Sequence, residues 1–323
     1  MVGGVVGHGM HASATMGRLR AAVRTLAHLD LAPDEVLARL DDLVDQLATE
    51  QRQAEETTPQ IMGATCVYAI YDPVSRHCAV ARAGHPPPTL LGPDGRLCPL
   101  DVPAGLPLGL GGLPYETAEL ELAEGSLIAL YSDGLLLAGD RDIDQGLTLL
   151  HDTLTGPARS LEHTCKAVED VMLPDRPADD VTLLLGRTRV LAAEDVATWE
   201  LPAEPTAAGR ARALVTERLT EWGLEELAFT TELIVSELVT NAYRYAGGPV
   251  VLRLIRNGHL ICEVSDSSST SPHLRQARST DEGGRGLFLV AQLSERWGTR
   301  YGRNSKTIWT EQPLSPEPAD PGI

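Results

Sequence analysis

The spacing of hydrophobic positions changes from helical to strand-like near Ala64. Upstream of it, apolar side chains recur every three or four residues through residues 11–29, which predicts a helix. A second helix is predicted from Pro33 to about Leu47, because acidic residues occupy its first turn. The polar residues 51–60 are predicted to form a connector.

Short apolar runs separated by turn residues follow, which is typical of β-strands. The predicted strands are 65–71, 77–82, the two arms of a hairpin around the Pro93-Asp94-Gly95 turn, 126–131 and 181–186. One helix is predicted between about Leu147 and Val171. The first block therefore mixes many short strands with a few helices, which is the pattern of an α+β domain.

A second block begins after a predicted joint within residues 191–203. Its predicted elements are a strand at 197–201, helices at 207–222 and 224–245, a strand-like run at 250–264, a glycine turn, a helix ending near Trp297 and two closing strands. The proline-rich end of the chain predicts a disordered tail. We therefore predict a first domain at 1–189, a linker at 190–195, a second domain at 196–312 and the tail at 313–323.

Composition and charge limit the partners of the chain. Its 323 residues carry a net charge of −18 and give a pI of about 4.9, which disfavours binding to nucleic acids or anionic membranes, since both attract Lys and Arg. The five cysteines form no close pair, which indicates reduced thiols. The sequence has neither an apolar run of about 20 residues nor a signal-peptide pattern. We therefore predict a cytoplasmic protein that binds neither nucleic acid nor membrane.

Glu237 and Asn241 are the most informative pair in the second domain, because their spacing puts both side chains on one face of a helix. Asp266 ends the strand-like run, and Gly283-Gly284-Arg285-Gly286 precedes the next apolar helix. An amide oxygen suits Mg²⁺, which prefers oxygen ligands, and the N–H groups at a helix start suit phosphates. Asp266 suits the amino group of adenine, and Glu237 suits a general base. Together these residues predict a nucleotide site.

In this order and spacing, the motifs resemble the histidine-kinase-type ATPase fold, in the branch of the anti-sigma-factor serine kinases, over about residues 196–312. The resemblance implies an α/β two-layer domain that binds ATP with Mg²⁺. It also implies that Glu237 and Asn241 form the N box, with Asn241 reaching Mg²⁺, and that Asp266 reads the adenine.

The same resemblance gives roles to a glycine pair and to the closing strand. Gly284 and Gly286 match the second glycine box, and Thr307 matches a threonine that supports the adenine site. Two departures matter. Residues 267–269 are serines where the family reads Asp-x-Gly-x-Gly, and Glu282 stands where characterised kinases place an arginine. ATP binding is therefore better supported than phosphate transfer.

Acidic residues at strand ends mark a second candidate site, in the first domain. Asp133 follows the predicted strand 126–131, and Asp179 and Asp180 precede the predicted strand 181–186. Carboxylates collected at the ends of several strands are suited to binding a hard metal ion.

Together with Ala83-Gly84-His85-Pro86 and Gly7-His8-Gly9, these acids resemble the SpoIIE-type branch of the metal-dependent PPM serine/threonine phosphatases. The resemblance implies two packed antiparallel sheets flanked by helices. It also implies two Mn²⁺ or Mg²⁺ ions that activate a water for attack on a phosphoserine or phosphothreonine. Asp133 and Asp179 would be the catalytic metal ligands, with Asp180 beside them. The histidine at position 85 is expected to be structural.

Gly4 departs from this family at the bridging aspartate of its Gly-Asp-x-x-Gly-His-Gly motif. The carbonyl of Val5 is expected to remain as a metal ligand, but a carbonyl does not replace a bridging anion. An earlier Gly-Asp-x-x-Asp segment is absent, which indicates either a degenerate phosphatase or a start codon placed downstream of the true one. A late start does not explain Gly4, so we expect weak metal binding and an impaired active site.

Three functions are open, all within the partner switching that controls bacterial sigma factors, as in actinobacterial regulators that combine the two domains. The first is a phosphatase that dephosphorylates a STAS-type anti-sigma antagonist, with ATP binding as regulation. The second is an ATP-dependent protein, with a homodimer as one option, that binds a sigma factor or the antagonist. The third is a serine kinase that uses Glu237 as its base. Gly4 weighs against the first function, and Glu282 weighs against the third.

Overall fold

The computed structural model divides into two compact units. The first contains Met1–Ala27 and Leu31–Val190, and the second contains His28–Asp30 and Leu191–Ile323. The structure describes residues 1–7, 9–54, 63–112, 114–139, 141–156, 160–173, 177, 179–246, 248–267, 286–302 and 305–314.

The first unit contains two antiparallel sheets and five helices in its described residues. In chain order the elements are β1 (Val2–Val5), α1 (Met10–Leu26), α2 (Pro33–Ala54), β2 (Ala64–Tyr71), β3 (His77–Ala83), β4 (Thr89–Leu91), β5 (Ala118–Glu121), β6 (Leu127–Tyr131), α3 (Asp133–Leu137), α4 (Ile143–Leu154), α5 (Leu161–Met172) and β7 (Leu183–Arg187). One sheet has the strand order β1-β2-β3-β5, and the other has the order β4-β6-β7.

The two sheets pack face to face. Side chains alternate along each strand, so every second side chain of a strand faces the other sheet. Val67 of β2 points between the sheets, where it belongs to the same buried cluster as Leu130 of β6. The next residue back, Cys66, belongs to a cluster on the other side of its sheet, with Leu40 and Val44 of α2. Burial on both faces of the strand accounts for its nearly continuous apolar run.

Helices also cover the outer face of the second sheet. Ala129 and Tyr131 of β6 lie in one buried cluster with Leu136 of α3, Leu150 of α4 and Met172 of α5. The layers are thus helices, sheet, sheet and helices. The predicted two-sheet sandwich flanked by helices is confirmed.

Two helix predictions need correction in this unit. The predicted connector at 51–60 begins with helix, since α2 continues to Ala54, and residues 55–62 lie outside the described part. The single helix predicted between Leu147 and Val171 is two helices, α4 and α5. Asp142 caps α4 through a reciprocal pair of hydrogen bonds with Gln145, and the Ser160 hydroxyl accepts from the N–H of His163 at the start of α5. Such caps stabilise a helix start by about 1 kcal/mol each, which favours two separate starts.

The second unit is one antiparallel sheet with three α-helices on one face, in its described residues. Its elements are β8 (Val196–Leu201), α6 (Ala207–Glu221), α7 (Ala228–Ala246), β9 (Val250–Arg256), β10 (His259–Asp266), α8 (Gly286–Leu293), β11 (Arg296–Gly302) and β12 (Ser305–Pro313). The strand order is β11-β12-β10-β9-β8. The predicted two-layer arrangement is confirmed.

Alternation along β10 defines which face of this sheet meets the helices. Leu260, Cys262 and Val264 are buried in one cluster with Val235 and Leu238 of α7. Side chains two residues apart share a face, so the next side chain on the helix-covered face of β10 is that of its last residue.

Three boundaries in the second unit differ from the predictions. The run at 250–264 is a hairpin of two strands, because Gly258 at its centre has a φ of 67° that favours glycine. The helix predicted to reach Trp297 ends at Leu293, and Trp297 lies in β11. The predicted tail begins later than 313, since β12 includes Pro313 and Leu314 packs against the core; residues 315–323 lie outside the described part.

The described residues include no helix with the length and apolar character needed to cross a membrane. All five cysteines are free thiols in the structure.

Candidate functional site

Glu237 and Asn241 lie one turn apart on α7, as their spacing predicts, and both are half-buried. The core-facing stripe of this helix includes Ile234, Leu238 and Ala242. Both polar side chains therefore sit at the edge of the apolar stripe, where a carboxylate and an amide keep access to a ligand.

Gly286 begins α8 directly against the side chain of Glu237. A Cβ atom at this position would overlap the Oε2 atom of Glu237. The glycine thus allows the helix start to approach the carboxylate, and the structure brings these two predicted residues together. Gly284, like Ser268 and Glu282, lies outside the described residues, so its predicted role stays a prediction.

We expect Gly286→Ala to lower the free energy of unfolding of the second unit by about 1 kcal/mol or less, because the added methyl group displaces only the end of the Glu237 side chain. Chemical unfolding followed by tryptophan fluorescence measures the loss. All four tryptophans of the chain (Trp199, Trp222, Trp297 and Trp309) belong to the second unit, so the signal comes from that unit alone. Combining the change with Glu237→Ser should restore most of the loss, and additive effects of the two changes would contradict the predicted overlap.

Asp266 is the last residue of β10, and it is buried on the face of the sheet that the helices cover. Its partner in the strand register is Lys306 of β12. The Nζ atom of Lys306 lies 3.4 Å from the Oδ2 atom of Asp266, in an ion pair whose side chains are only 7% and 3% exposed. The carboxylate predicted to read adenine is therefore held by a buried cation.

Thr307 lies on the opposite face of the sheet from Asp266. Its Oγ1 atom is 2.7 Å from the Oγ atom of Ser265, its partner across the ladder. The structure therefore does not bring Thr307 to the predicted adenine site, because neighbouring residues of a strand point to opposite faces. Sequence reasoning missed Lys306. Ile308 faces the core, and residues two positions apart on a strand share a face, so the apolar Ile308 could have indicated that Lys306 faces the same side.

In the first unit, the ends of β6 and β7 bring Asp133 and Asp179 together. The backbone N–H of Ser132 donates to the carbonyl of Thr182 at 3.0 Å, which extends the pairing of the two strands. A Cβ atom at Gly134 would lie 2.5 Å from the carbonyl oxygen of Asp180 and 3.6 Å from the Cβ atom of Asp179. The glycine after Asp133 thus permits the close approach of the two acidic segments.

The ends of both sheets meet at this point. Gly4 of β1 pairs with Thr65 of β2. Cys66, which follows Thr65, pairs with Ala83, the last residue of β3, so His85 comes just after β3 at the same edge of the sheet. Burial lowers the pKa of His85, while its hydrogen bond to the Pro86 carbonyl and the nearby charge of Asp133 act in the opposite direction.

His85 was expected to be structural, and its Nδ1 atom lies 3.1 Å from the Pro86 carbonyl oxygen, as in a loop-stabilising role. Its Nε2 atom is buried without a hydrogen-bond partner among the described residues. The sequence did not indicate that this histidine lies near Asp133, because 48 residues separate the two positions along the chain.

The residues at this edge do not form a complete metal centre. Asp133, Asp179 and Asp180 are exposed, and Gly4 contributes no side chain. Among the described residues, no group of three or more His, Cys, Asp and Glu side chains is arranged to hold a metal ion. A Cβ atom at Gly4 would meet no described atom within 4 Å, so the space for a larger side chain is open. The role of the Val5 carbonyl stays a prediction.

Comparison with known proteins accounts for both units. The family model for stage II sporulation protein E (SpoIIE) matches residues 1–189, and the model for the histidine kinase-like ATPase domain matches residues 201–310. A crystal structure of the RsbU and RsbW domains of Rv1364c from Mycobacterium tuberculosis is 25% identical, with a TM-score of 0.51, and the match covers 98% of this chain and 86% of that one.

Two further structures resemble part of the chain. The SiaA-PP2C domain of Pseudomonas aeruginosa is 24% identical, with a TM-score of 0.42 and coverage of 57% of this chain and 73% of that one. A structure of the PP2C phosphatase domain and a regulatory fragment of SpoIIE from Bacillus subtilis is 15% identical, with a TM-score of 0.44 and coverage of 57% and 52%. The predicted family is confirmed by the match over residues 1–189, more than half of the 323 residues. The chain belongs to the SpoIIE family of PPM phosphatases, and its phosphatase domain precedes a histidine-kinase-like ATPase domain.

Proposed function

We propose that this chain is a partner-switching regulator whose second unit binds ATP with Mg²⁺ and whose phosphatase unit is catalytically impaired. The observation that carries the proposal is the packing of Gly286 on Glu237, with Asn241 one turn further along α7. In this arrangement a helix start meets a carboxylate, and an amide lies one turn away on the same helix as that carboxylate. The similarity to a structure with RsbU and RsbW domains along 98% of the chain supports the partner-switching role.

Each described residue of the nucleotide site has a distinct task in this proposal. The amide oxygen of Asn241 would bind Mg²⁺, which neutralises the charge of the triphosphate. The N–H groups at the start of α8 would face the phosphates, because they have no partners within the helix. Asp266 would accept a hydrogen bond from the base. Glu237 would act as a general base if the bound ATP phosphorylates a serine of the antagonist.

The phosphatase unit is proposed to bind Mn²⁺ or Mg²⁺ only weakly. PPM phosphatases depend on such metals, and a bridging carboxylate is needed to hold two cations close together. Here Asp133 and Asp179 converge, but Gly4 brings no side-chain oxygen to the proposed position of the bridging acid. The unit would then serve mainly as a binding scaffold.

The proposed partners are a STAS-type antagonist and a sigma factor, and a homodimer is one arrangement that would present them with two nucleotide sites. The proposal rests on the RsbU and RsbW domains of the similar Mycobacterium tuberculosis protein and on the anti-sigma-kinase pattern of the second unit. Nucleotide binding is the part that can be tested with the purified chain alone.

ATP with Mg²⁺, at about 100 times its Kd, is expected to raise the melting temperature of the second unit by roughly 5–10 °C. Asn241→Ala should abolish the rise, because the metal loses its protein ligand. Tryptophan fluorescence of the full chain measures the melting of this unit specifically. The matched control is Thr240→Ala, since Thr240 lies beside Val239 and Tyr243 around a separate cavity. An equal rise in the Asn241 variant would refute the proposed site.

A further inference from the structure

Lys306 and Asp266 form a buried pair at the place where the proposed nucleotide site would read the base. Both side chains are on the helix-covered face of the sheet, and their charged atoms are 3.4 Å apart. The residues as a whole are only 6% and 5% exposed. The pair is therefore fixed in register by the ladder of β10 and β12, and water screens it little.

The pair presents two complementary groups side by side. An ionised carboxylate only accepts hydrogen bonds, and an ammonium group only donates them. A purine presents two adjacent groups at position 6 and ring nitrogen N1. Adenine has a donor at position 6 and an acceptor at N1, whereas the 6-oxopurines, guanine and hypoxanthine, have the reverse order.

We propose that Lys306 is a second base-reading residue, and that it lets this site take 6-oxopurine nucleoside triphosphates as well as ATP. With adenine, Asp266 accepts from the amino group while Lys306 keeps its ion pair with that carboxylate. With a 6-oxopurine, Lys306 donates to O6 and Asp266 accepts from N1–H. A carboxylate alone would face O6 with no donor and reject it. The inference rests on the proposed nucleotide binding, because it assigns the specificity of that same site.

The test compares ATP and ITP, which differ only at position 6 and N1, in binding to the full chain with Mg²⁺. Calorimetric titration of the wild-type chain is expected to give ITP and ATP affinities within about tenfold of each other. Lys306→Met should weaken ITP at least about tenfold more than ATP, because an unpaired buried polar group disfavours only the 6-oxopurine complex. GTP should follow ITP.

Thr307→Val is the matched control, since Thr307 is the adjacent residue and lies on the opposite face. It should leave the ATP-to-ITP ratio unchanged. Tryptophan fluorescence reports whether each variant is folded. If the Met variant is unfolded, Lys306→Gln is measured instead. The glutamine amide keeps a hydrogen-bond donor, so the affinity of this variant for ITP should fall by less than about tenfold.

Three results would overturn the inference while leaving ATP binding intact. The first is a wild-type preference for ATP above about 100-fold. The second is equal weakening of ATP and ITP in the Met variant, which indicates a structural role only. The third is tighter ATP binding in that variant, which indicates that Lys306 competes with the base. Failure of the wild-type chain to bind either nucleotide would instead refute the proposed function, and this inference with it.

Discussion

Gly4→Asp is expected to raise the Mn²⁺-dependent phosphatase activity of the chain by about 100-fold or more, measured on a phosphoserine peptide. The new carboxylate would lie on β1, which packs against β6, the strand that leads to Asp133. Metal ions contribute several kcal/mol of transition-state stabilisation in hydrolases, and each 1.36 kcal/mol changes the rate tenfold. No described atom lies within 4 Å of the Cβ position at Gly4, so the first side-chain atom meets no described neighbour.

Gly4→Asn is the matched control, because the amide has the same size as the carboxylate but no negative charge. It should raise neither activity nor Mn²⁺ affinity measured by calorimetry. Adding Asp133→Asn to the Gly4→Asp chain should remove the gain. If the aspartate variant binds Mn²⁺ no more tightly than the wild type, the missing anion does not limit metal binding and the proposed cause of impairment is wrong.

Asp266→Asn is expected to lower the free energy of unfolding of the second unit by about 3–5 kcal/mol. The change removes the carboxylate that lies 3.4 Å from the Lys306 ammonium group in a buried pair, and this costs more than losing an exposed pair. The asparagine has the shape of the aspartate, so the loss reports the charge and not a cavity. Urea unfolding followed by tryptophan fluorescence measures it in the full chain.

The double change Asp266→Leu with Lys306→Met should be much closer to the wild type in stability, because neither charge remains to be buried. An Asp266→Asn chain within about 1 kcal/mol of the wild type would contradict this account. Such a result would indicate that water or other groups stabilise the Lys306 charge when the carboxylate is removed.

The fold was predictable where local patterns decide it. The apolar run of β2 and the proline at the start of α2 determine those elements by themselves, because burial and helix-start chemistry act over a few residues. The division between α4 and α5 was missed, although Gly156 and Pro157 interrupt the helical pattern in the sequence. The pairing of the two sheets followed only from the family resemblance.

The candidate sites were predictable to the extent that one element holds the residues. The helical spacing of Glu237 and Asn241 settles their relation without any tertiary information. Whether Lys306 or Thr307 lies at the predicted adenine site depends on which face of β12 each residue occupies. The short distance between His85 and Asp133 depends on how the two sheets pack. Such relations arise from contacts between distant parts of the chain.

The open space at Gly4 also has a genetic consequence. The glycine codons GGU and GGC differ from the aspartate codons GAU and GAC by a single base, and no described atom lies within 4 Å of a Cβ atom at Gly4. On the proposed account of Gly4, a bridging acid could therefore be gained from either of these codons in one mutational step, without compensating changes among the described neighbours. If the phosphatase unit is impaired as proposed, a lineage with this architecture can exchange an active phosphatase for a binding scaffold, and return, at little cost to folding.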